Sequence, residues 1–472
     1  MPQNTTNDNT TTTPNSSSTN PADSSIIILG AGIIGLSTAY YLSSSSSPSL
    51  FHNHHKVLPQ NITLLDTSPT LFACASGRAG GFLAKDWFDA ASSKLGELSF
   101  ALHRQLADAN DGRRRWGYSP SNSYSFERGT GEGRKRGDDW LRDGTSRVDA
   151  SSGVGGEDGG NVQRGTAPAW WNCESGKVEL SCTGDSTAQL DPLGLCEFLL
   201  EEVRRRGVTI RHPVTPVRVV QSADKRLEGL VISNGNGRAE EEQQEEVLSC
   251  SHILIAAGSW SGRLFEKLFP TSGYRLPISS LAGHSIVVRS PAHRPQETEP
   301  RDLHAVFSSI DGLDWHPEAF SRVNGDIYLA GINSATIPLP ELATDVKEYD
   351  ADIQKLISGA KDLIVQFGVG GDENDDYDDS TRNGLTNEAN VIRRGLCHRP
   401  VTPAGKPILS RIPDAFLGGL NTNIGGGGGG GVFVATGHGP WGISMSLGTG
   451  KVMAEMILGG ETTVDVSQLG LQ

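Results

Sequence analysis

The apolar positions of this chain fall into blocks with two different periods. Ile26-Ile27-Ile28-Leu29 is a continuous β-branched and aliphatic run, the pattern of a strand buried on both faces. It ends in Gly30-Ala31-Gly32-Ile33-Ile34-Gly35, after which Leu36, Ala39, Tyr40 and Leu42 follow at helical spacing. Ile62-Thr63-Leu64-Leu65-Asp66 reads as a second strand, and a helical stretch then reaches Trp116. Asp191 and Pro192 have the signature of a helix start, with Leu195, Phe198, Leu199 and Val203 on one face and an end near Gly207. Short strands follow at 208–210, 217–220 and 227–233, and His252 to Gly258 is a buried strand ending at a glycine turn. From Leu276 to Tyr328 the alternation is that of antiparallel sheet. Residues 342–367 are largely helical in pattern. Val432-Phe433-Val434-Ala435 is a last strand, followed by a closing helix from Met445 to Leu458.

The Gly-x-Gly-x-x-Gly turn between a strand and a helix is suited to a pyrophosphate. Its first glycine permits the turn, the second lets backbone approach the phosphates, and the third lets helix and strand pack closely. The helix N-terminus adds unpaired N–H groups and the positive end of its dipole. A purely structural glycine turn is the other reading; the strand and helix on either side favour the dinucleotide. Asp66, at the end of the second strand, is the candidate for a ribose hydroxyl, against a solvated turn acid. It lies farther from Gly35 than the usual ~20 residues, and the serine- and histidine-rich stretch 43–56 accounts for the excess as a lengthened loop. His52, His54 and His55 in that stretch read as a surface cluster, not a metal site, because no Cys or carboxylate pattern accompanies them.

Length and charge narrow the class. A chain of 472 residues predicts two domains. A net charge of −14 argues against nucleic acid and anionic membrane surfaces as partners. Six scattered cysteines without a Cys-x-x-Cys pair read as reduced thiols. Residues 1–24 form a Thr/Asn/Ser-rich tail that reads as disordered, with no signal or transit peptide; no transmembrane segment and no C-terminal peroxisomal signal is seen. A cytoplasmic location is therefore expected. Residues 120–166 and the acidic stretch 368–390 read as long surface insertions, and Gly425 to Gly431 as a flexible loop tip.

Taken in order, the motifs resemble the D-amino-acid oxidase-like FAD-dependent oxidoreductases, which include glycine and sarcosine oxidases. Five segments carry the resemblance: Gly30–Gly35 with Asp66; Ala75 to Leu83; Asp191-Pro192; Ala256-Ala257-Gly258-Ser259-Trp260; and Arg399-Pro400 with Gly437-His438-Gly439-Pro440-Trp441-Gly442. It spans the chain from Ser24 to about Gly460, apart from the insertions. It implies an α/β fold in which a Rossmann-like FAD-binding domain (25–103, 181–273 and 395–472) is interleaved with an α+β substrate domain on an antiparallel sheet (104–180 and 274–394).

The resemblance also implies a site. FAD would contact Gly30, Gly32, Ile33, Ile34, Gly35 and Asp66 at its nucleotide end. Ser76, Gly80, Gly81 and Phe82 would underlie the flavin, and Ala257, Gly258 and Trp260 would also bind FAD. Val217 would clamp the adenine, or be a plain strand valine. Gly437, His438, Gly439, Trp441, Gly442 and Ile443 would face the flavin N1–C2=O edge, or serve packing alone. Arg399 would hold a substrate carboxylate, with a solvated structural arginine as the alternative, and His438 would orient flavin or substrate. Arg78 stands where the family has a small residue, as a phosphate contact, a surface residue or a gate. Cys397 keeps part of the context of a flavin-linked cysteine but lacks its first Thr and its Asp, so non-covalent FAD is expected and a covalent link at Cys397 is the alternative. The implied reaction is oxidation of the C–N bond of a small amine or amino acid by hydride transfer to flavin N5, with oxygen as acceptor. The rival readings are a dehydrogenase with another acceptor, or a flavin-fold protein with mainly an interaction or regulatory role, little turnover and an unidentified protein partner.

Overall fold

The computed structural model describes residues 25–44, 57–129, 167–235, 244–295, 303–367, 390–422 and 430–471. The N-terminal tail, the histidine cluster at 52–55, the loop tip 425–429 and most of both long insertions lie outside them.

Ile26–Leu29 is the centre of a six-stranded sheet. The strand order is Ile408–Arg411, Gly431–Thr436, His252–Ile255, Ile26–Leu29, Ile62–Leu65 and Thr209–Arg211. All neighbours are parallel except Ile408–Arg411 against Gly431–Thr436. The strand is apolar at every position because both faces are covered. Ile26 and Ile28 enter one core with the helices Ile33–Leu42, Pro192–Arg205 and Ser446–Ile457. Ile27 and Leu29 enter another with Leu230 and Ile232 of a three-stranded meander.

The second sheet runs Val391–Val401, Ser279–Arg289, Asp326–Ser334, Glu318–Ser321, Leu303–Ile310, Ser119–Arg128, Thr187–Gln189 and Phe82–Ala84, with Lys177–Cys182 also paired to Ser119–Arg128. It is antiparallel except where Leu303–Ile310 lies parallel to Ser119–Arg128. The helix Asp350–Leu363 covers one face through Ile353, Leu356 and Ile357, which pack with Trp170, Trp171 and Trp315. Helix thus occupies only part of 342–367.

Three elements cross the divisions drawn from linear pattern. Residues 120–128, expected at the start of an insertion, are an inner strand of the second sheet, in which Ser121, Ser123 and Ser125 are buried. Val391–Val401 pairs with Ser279–Arg289 along its whole length and so runs past position 394. The helix Ser93–Asn110 continues through 103–104 and docks on the closing helix, where Gly448 N–H donates to Ser99 Oγ at 3.1 Å. Among the described residues, no helix is long and apolar enough to cross a membrane.

Candidate functional site

A cavity of about 410 Å³ lies where the two sheets meet. At one end its wall is the glycine turn, built by three constraints of different kinds. Gly30 has φ +111°, and a Cβ there would stand 2.4 Å from the Ala256 carbonyl oxygen. A Cβ on Gly35 would strike the Gly30 carbonyl. These two glycines are demanded by the fold itself. Gly32 is not: its nearest neighbour would be only the Ser76 hydroxyl, at 2.9 Å, and it borders the cavity. The absent side chain leaves room for a ligand rather than for protein.

Asp66 closes the same end. Its Oδ2 accepts the Ala31 N–H at 2.9 Å and its Oδ1 the Ser68 N–H at 2.8 Å. Burial pushes its carboxyl above the ordinary range, while the two N–H groups pull it down. It is half-buried on the cavity wall, not a solvated turn acid. Ser76 accepts the Ile33 N–H at 3.0 Å and so fixes the short helix Ala75–Arg78 against the start of the first long helix.

The other end is formed by the second sheet. Phe320 and Tyr328 stack with planes 2° apart, and a Cβ on Gly80 would meet Phe320 at 2.6 Å. Arg399 borders the cavity beside Glu318 and donates to Asn333 Oδ1. Burial works against its charge, but Cys397, Tyr328 and Glu318 together raise its pKa. His438 is buried at the cavity wall with Nε2 3.0 Å from Thr449 Oγ1; burial pushes its pKa down to about 3, so it is neutral. His398 is likewise held below its ordinary value by burial, and its Nδ1 is 2.7 Å from Ser280 Oγ. Leu342 and Ala343 close one side, in a segment held by Trp260 Nε1, which donates to the Pro340 carbonyl at 2.9 Å.

This arrangement suits a long ligand with a phosphorylated end and a flat apolar end. A family model described as DAO, FAD dependent oxidoreductase, matches residues 25–456. The chain belongs to that family. Among curated proteins it is 27% identical over 453 residues to C1F5.03c of Schizosaccharomyces pombe, which carries a provisional oxidoreductase name; the match covers 92% of this chain and 94% of the relative. A D-amino acid dehydrogenase of Bradyrhizobium diazoefficiens is 28% identical over 246 residues, 52% of this chain and 42% of that protein. The crystal structure of glycine oxidase from Geobacillus kaustophilus superimposes with a TM-score of 0.63 at 18% identity, over 95% of this chain and 98% of that one. The protein is therefore an FAD-dependent oxidoreductase with the fold of the amino-acid oxidases.

The cavity brings together most of the residues singled out in the sequence: Gly30, Gly32, Ile33, Ile34, Asp66, Ser76, Gly80, Ala257, Gly258, Trp260, Arg399, His438, Gly439, Gly442 and Ile443 all border it. Others stand behind the wall. Gly35 lies in the helix Ile33–Leu42 against the Gly30 carbonyl, and Gly437 shapes a turn with φ +81°. Gly81 packs on the Leu190 carbonyl. Phe82 belongs to an aromatic cluster with Trp87, Phe307 and Phe320, and Trp441 packs on Trp87 and Phe88. Val217 falls at a bulge between Pro216 and Arg218, and Thr215 and Pro216 border the cavity in its place. Arg78 is a staple: Nε donates to the Ala73 carbonyl at 2.9 Å and Nη1 pairs with Glu348 at 3.0 Å. Glu318, Phe320 and Tyr328 were not singled out; their alternation marks one face of a strand pair, but nothing local says what that face meets. Cys74 and Cys397 both border the cavity, and burial pushes the Cys74 thiol up to about 12.

Proposed function

We propose that the protein oxidises the C–N bond of a small amino acid, with FAD held non-covalently in this cavity and oxygen as the electron acceptor. The observation that carries the reading is Arg399, a cation that the second sheet contributes to the cavity wall. A guanidinium is a planar fork that pairs two-pronged with a carboxylate, and Asn333 steadies it. The residues fit the cofactor: Gly32 leaves backbone open to a pyrophosphate, and Asp66 stands at the strand end where a ribose would lie. When bound, FAD supplies the two-electron acceptor for the reaction. The chain supplies the rest. Phe320 and Tyr328 exclude water from the sheet end, and neutral His438 adds no charge of its own to the wall.

The names of structural neighbours support an amino-acid substrate, since they include glycine oxidase and iminodiacetate oxidase. The test is anaerobic mixing of the FAD-loaded protein with a panel of amino acids and amines. Bleaching of the flavin bands by an amino acid, followed by recovery and peroxide release on admitting air, is the expected result. Bleaching that air does not reverse would assign another acceptor, as in the dehydrogenases that share about half of this chain. No bleaching by any carboxylated amine would reject the substrate class.

A further inference from the structure

Behind the cavity wall, Arg322 is 6% exposed, at the turn between the strands Glu318–Ser321 and Asp326–Ser334. Its Nη2 donates to two successive carbonyls, Ala79 and Gly80, at 3.3 Å each. Its Nη1 is 3.6 Å from Asp191 Oδ1, and its carbon centre lies 5.8 Å from the Tyr328 ring. Among the described residues its Nε has no acceptor. Burial disfavours the charge, Asp191 supports it and neighbouring Arg393 opposes it. Arg393 itself donates to the Gly77 carbonyl at 3.1 Å. Two guanidinium groups thus grip the Gly77–Gly80 backbone from behind, although burying such charge is costly and an ion pair at that distance compensates it poorly.

A planar trans peptide carries its N–H on the side opposite its C=O. With the Ala79 and Gly80 carbonyls turned to Arg322, the N–H groups of Gly80 and Gly81 turn away from it. Ala79 and Gly80 border the cavity, and Arg322 does not. We infer that Arg322 is a positioning residue for the cofactor: it aims the Gly80 amide at the bound flavin and sets a buried positive charge behind it, so that the flavin is easier to reduce. A charge in a poorly screened interior acts over several ångströms, and reduction adds negative charge to the ring that it would favour. This rests on the FAD reading above.

The experiment measures the two-electron reduction potential of FAD-loaded wild type, Arg322→Lys, Arg322→Met and Arg322→Gln by equilibration with a reference dye. The neutral variants should lower the equilibrium constant for reduction at least tenfold, about 30 mV for a two-electron couple. Arg322→Lys should recover most of the loss, which a merely structural staple would not require. Arg322→Gln, with one carbonyl donor retained, stands in if Arg322→Met does not fold. Neutral variants whose equilibrium constant for reduction falls less than tenfold below wild type would overturn the inference alone, as would a lysine variant displaced as far as they are. A wild-type protein that takes up no FAD would overturn the reading beneath it as well.

Discussion

The Arg399 guanidinium lies across the backbone of Gly283, where a Cβ would stand 2.1 Å from Nη1. Gly283 pairs with Asn333 on the neighbouring strand, and Asn333 is the acceptor for the same guanidinium. The bare strand position is therefore part of the arginine's seat. Gly283→Ala should displace the guanidinium without unfolding the sheet, because the clashing atoms are the far end of a flexible side chain. Carboxylate affinity, read from perturbation of the flavin spectrum, is expected to fall roughly tenfold, in line with loss of a charge-assisted hydrogen bond. Unchanged affinity would show that Arg399 meets its ligand elsewhere.

Arg399→Lys keeps the charge but loses the two-pronged geometry. Losing a charged hydrogen bond costs about 1.5–3 kcal/mol, or roughly ten- to a hundredfold in affinity. The carboxylate binding constant should weaken by that factor while the unliganded flavin spectrum stays as in wild type. Equal constants would remove Arg399 from the site.

Gly32→Val should yield a folded protein that does not retain FAD, measured as the ratio of flavin to protein absorbance beside far-ultraviolet circular dichroism. Gly30→Val should instead fail to fold, since its Cβ meets the Ala256 carbonyl at a backbone angle that side chains avoid. Stoichiometric FAD in soluble Gly32→Val would reduce the motif to a structural turn.

The parts legible in the sequence are those whose constraints are local. Ile26 to Gly35 declares itself because a strand covered on both faces must be apolar throughout and because the turn needs its glycines within a few residues. The ladder from Leu276 to Tyr328 shows through alternation. Arg399 and the turn at Gly437 show through family likeness rather than through their neighbours. What stayed hidden is set by contacts between distant segments. Val217 loses its place on the wall to a bulge that no residue type announces. Phe82 is claimed by Phe307 and Phe320 from other strands. The serines of 119–125 look like a polar loop until the strands that bury them are known.

Acid precipitation should release the flavin into the supernatant, because Cys397 lacks the full context of a flavin-linked cysteine. Cys397 does border the cavity, so the alternative has a definite signature. Flavin that stays with the pellet, and is freed in Cys397→Ser, would establish a covalent link.

Two buried histidines make the fold acid-sensitive. Burial pushes His103 down to about 4 and His438 to about 3, below the ~6.5 of an exposed histidine. At intermediate pH the unfolded chain binds more protons than the folded one, so their contribution is complete above about pH 6.5 and is lost as pH falls toward those values. The melting temperature should therefore drop between about pH 6.5 and pH 4.5. His103→Gln, which can still donate to the Ile443 carbonyl that His103 Nε2 meets at 2.9 Å, should make the drop shallower. An unchanged slope would mean that His103 does not govern it.

The strand Gly431–Thr436 lies directly beside His252–Ile255, next to the centre of the six-stranded sheet, yet it comes near the end of the chain. During synthesis the strands Ile26–Leu29, Ile62–Leu65 and His252–Ile255 are made well before this neighbour. It brings with it Ala435, Thr436, His438 and Gly439 of the cavity wall. Until then Leu254 and Ile255 have an open ladder edge, and the cavity lacks this part of its wall. A chain halted before residue 431 would therefore lack part of the cavity wall and leave one edge of the parallel sheet unpaired.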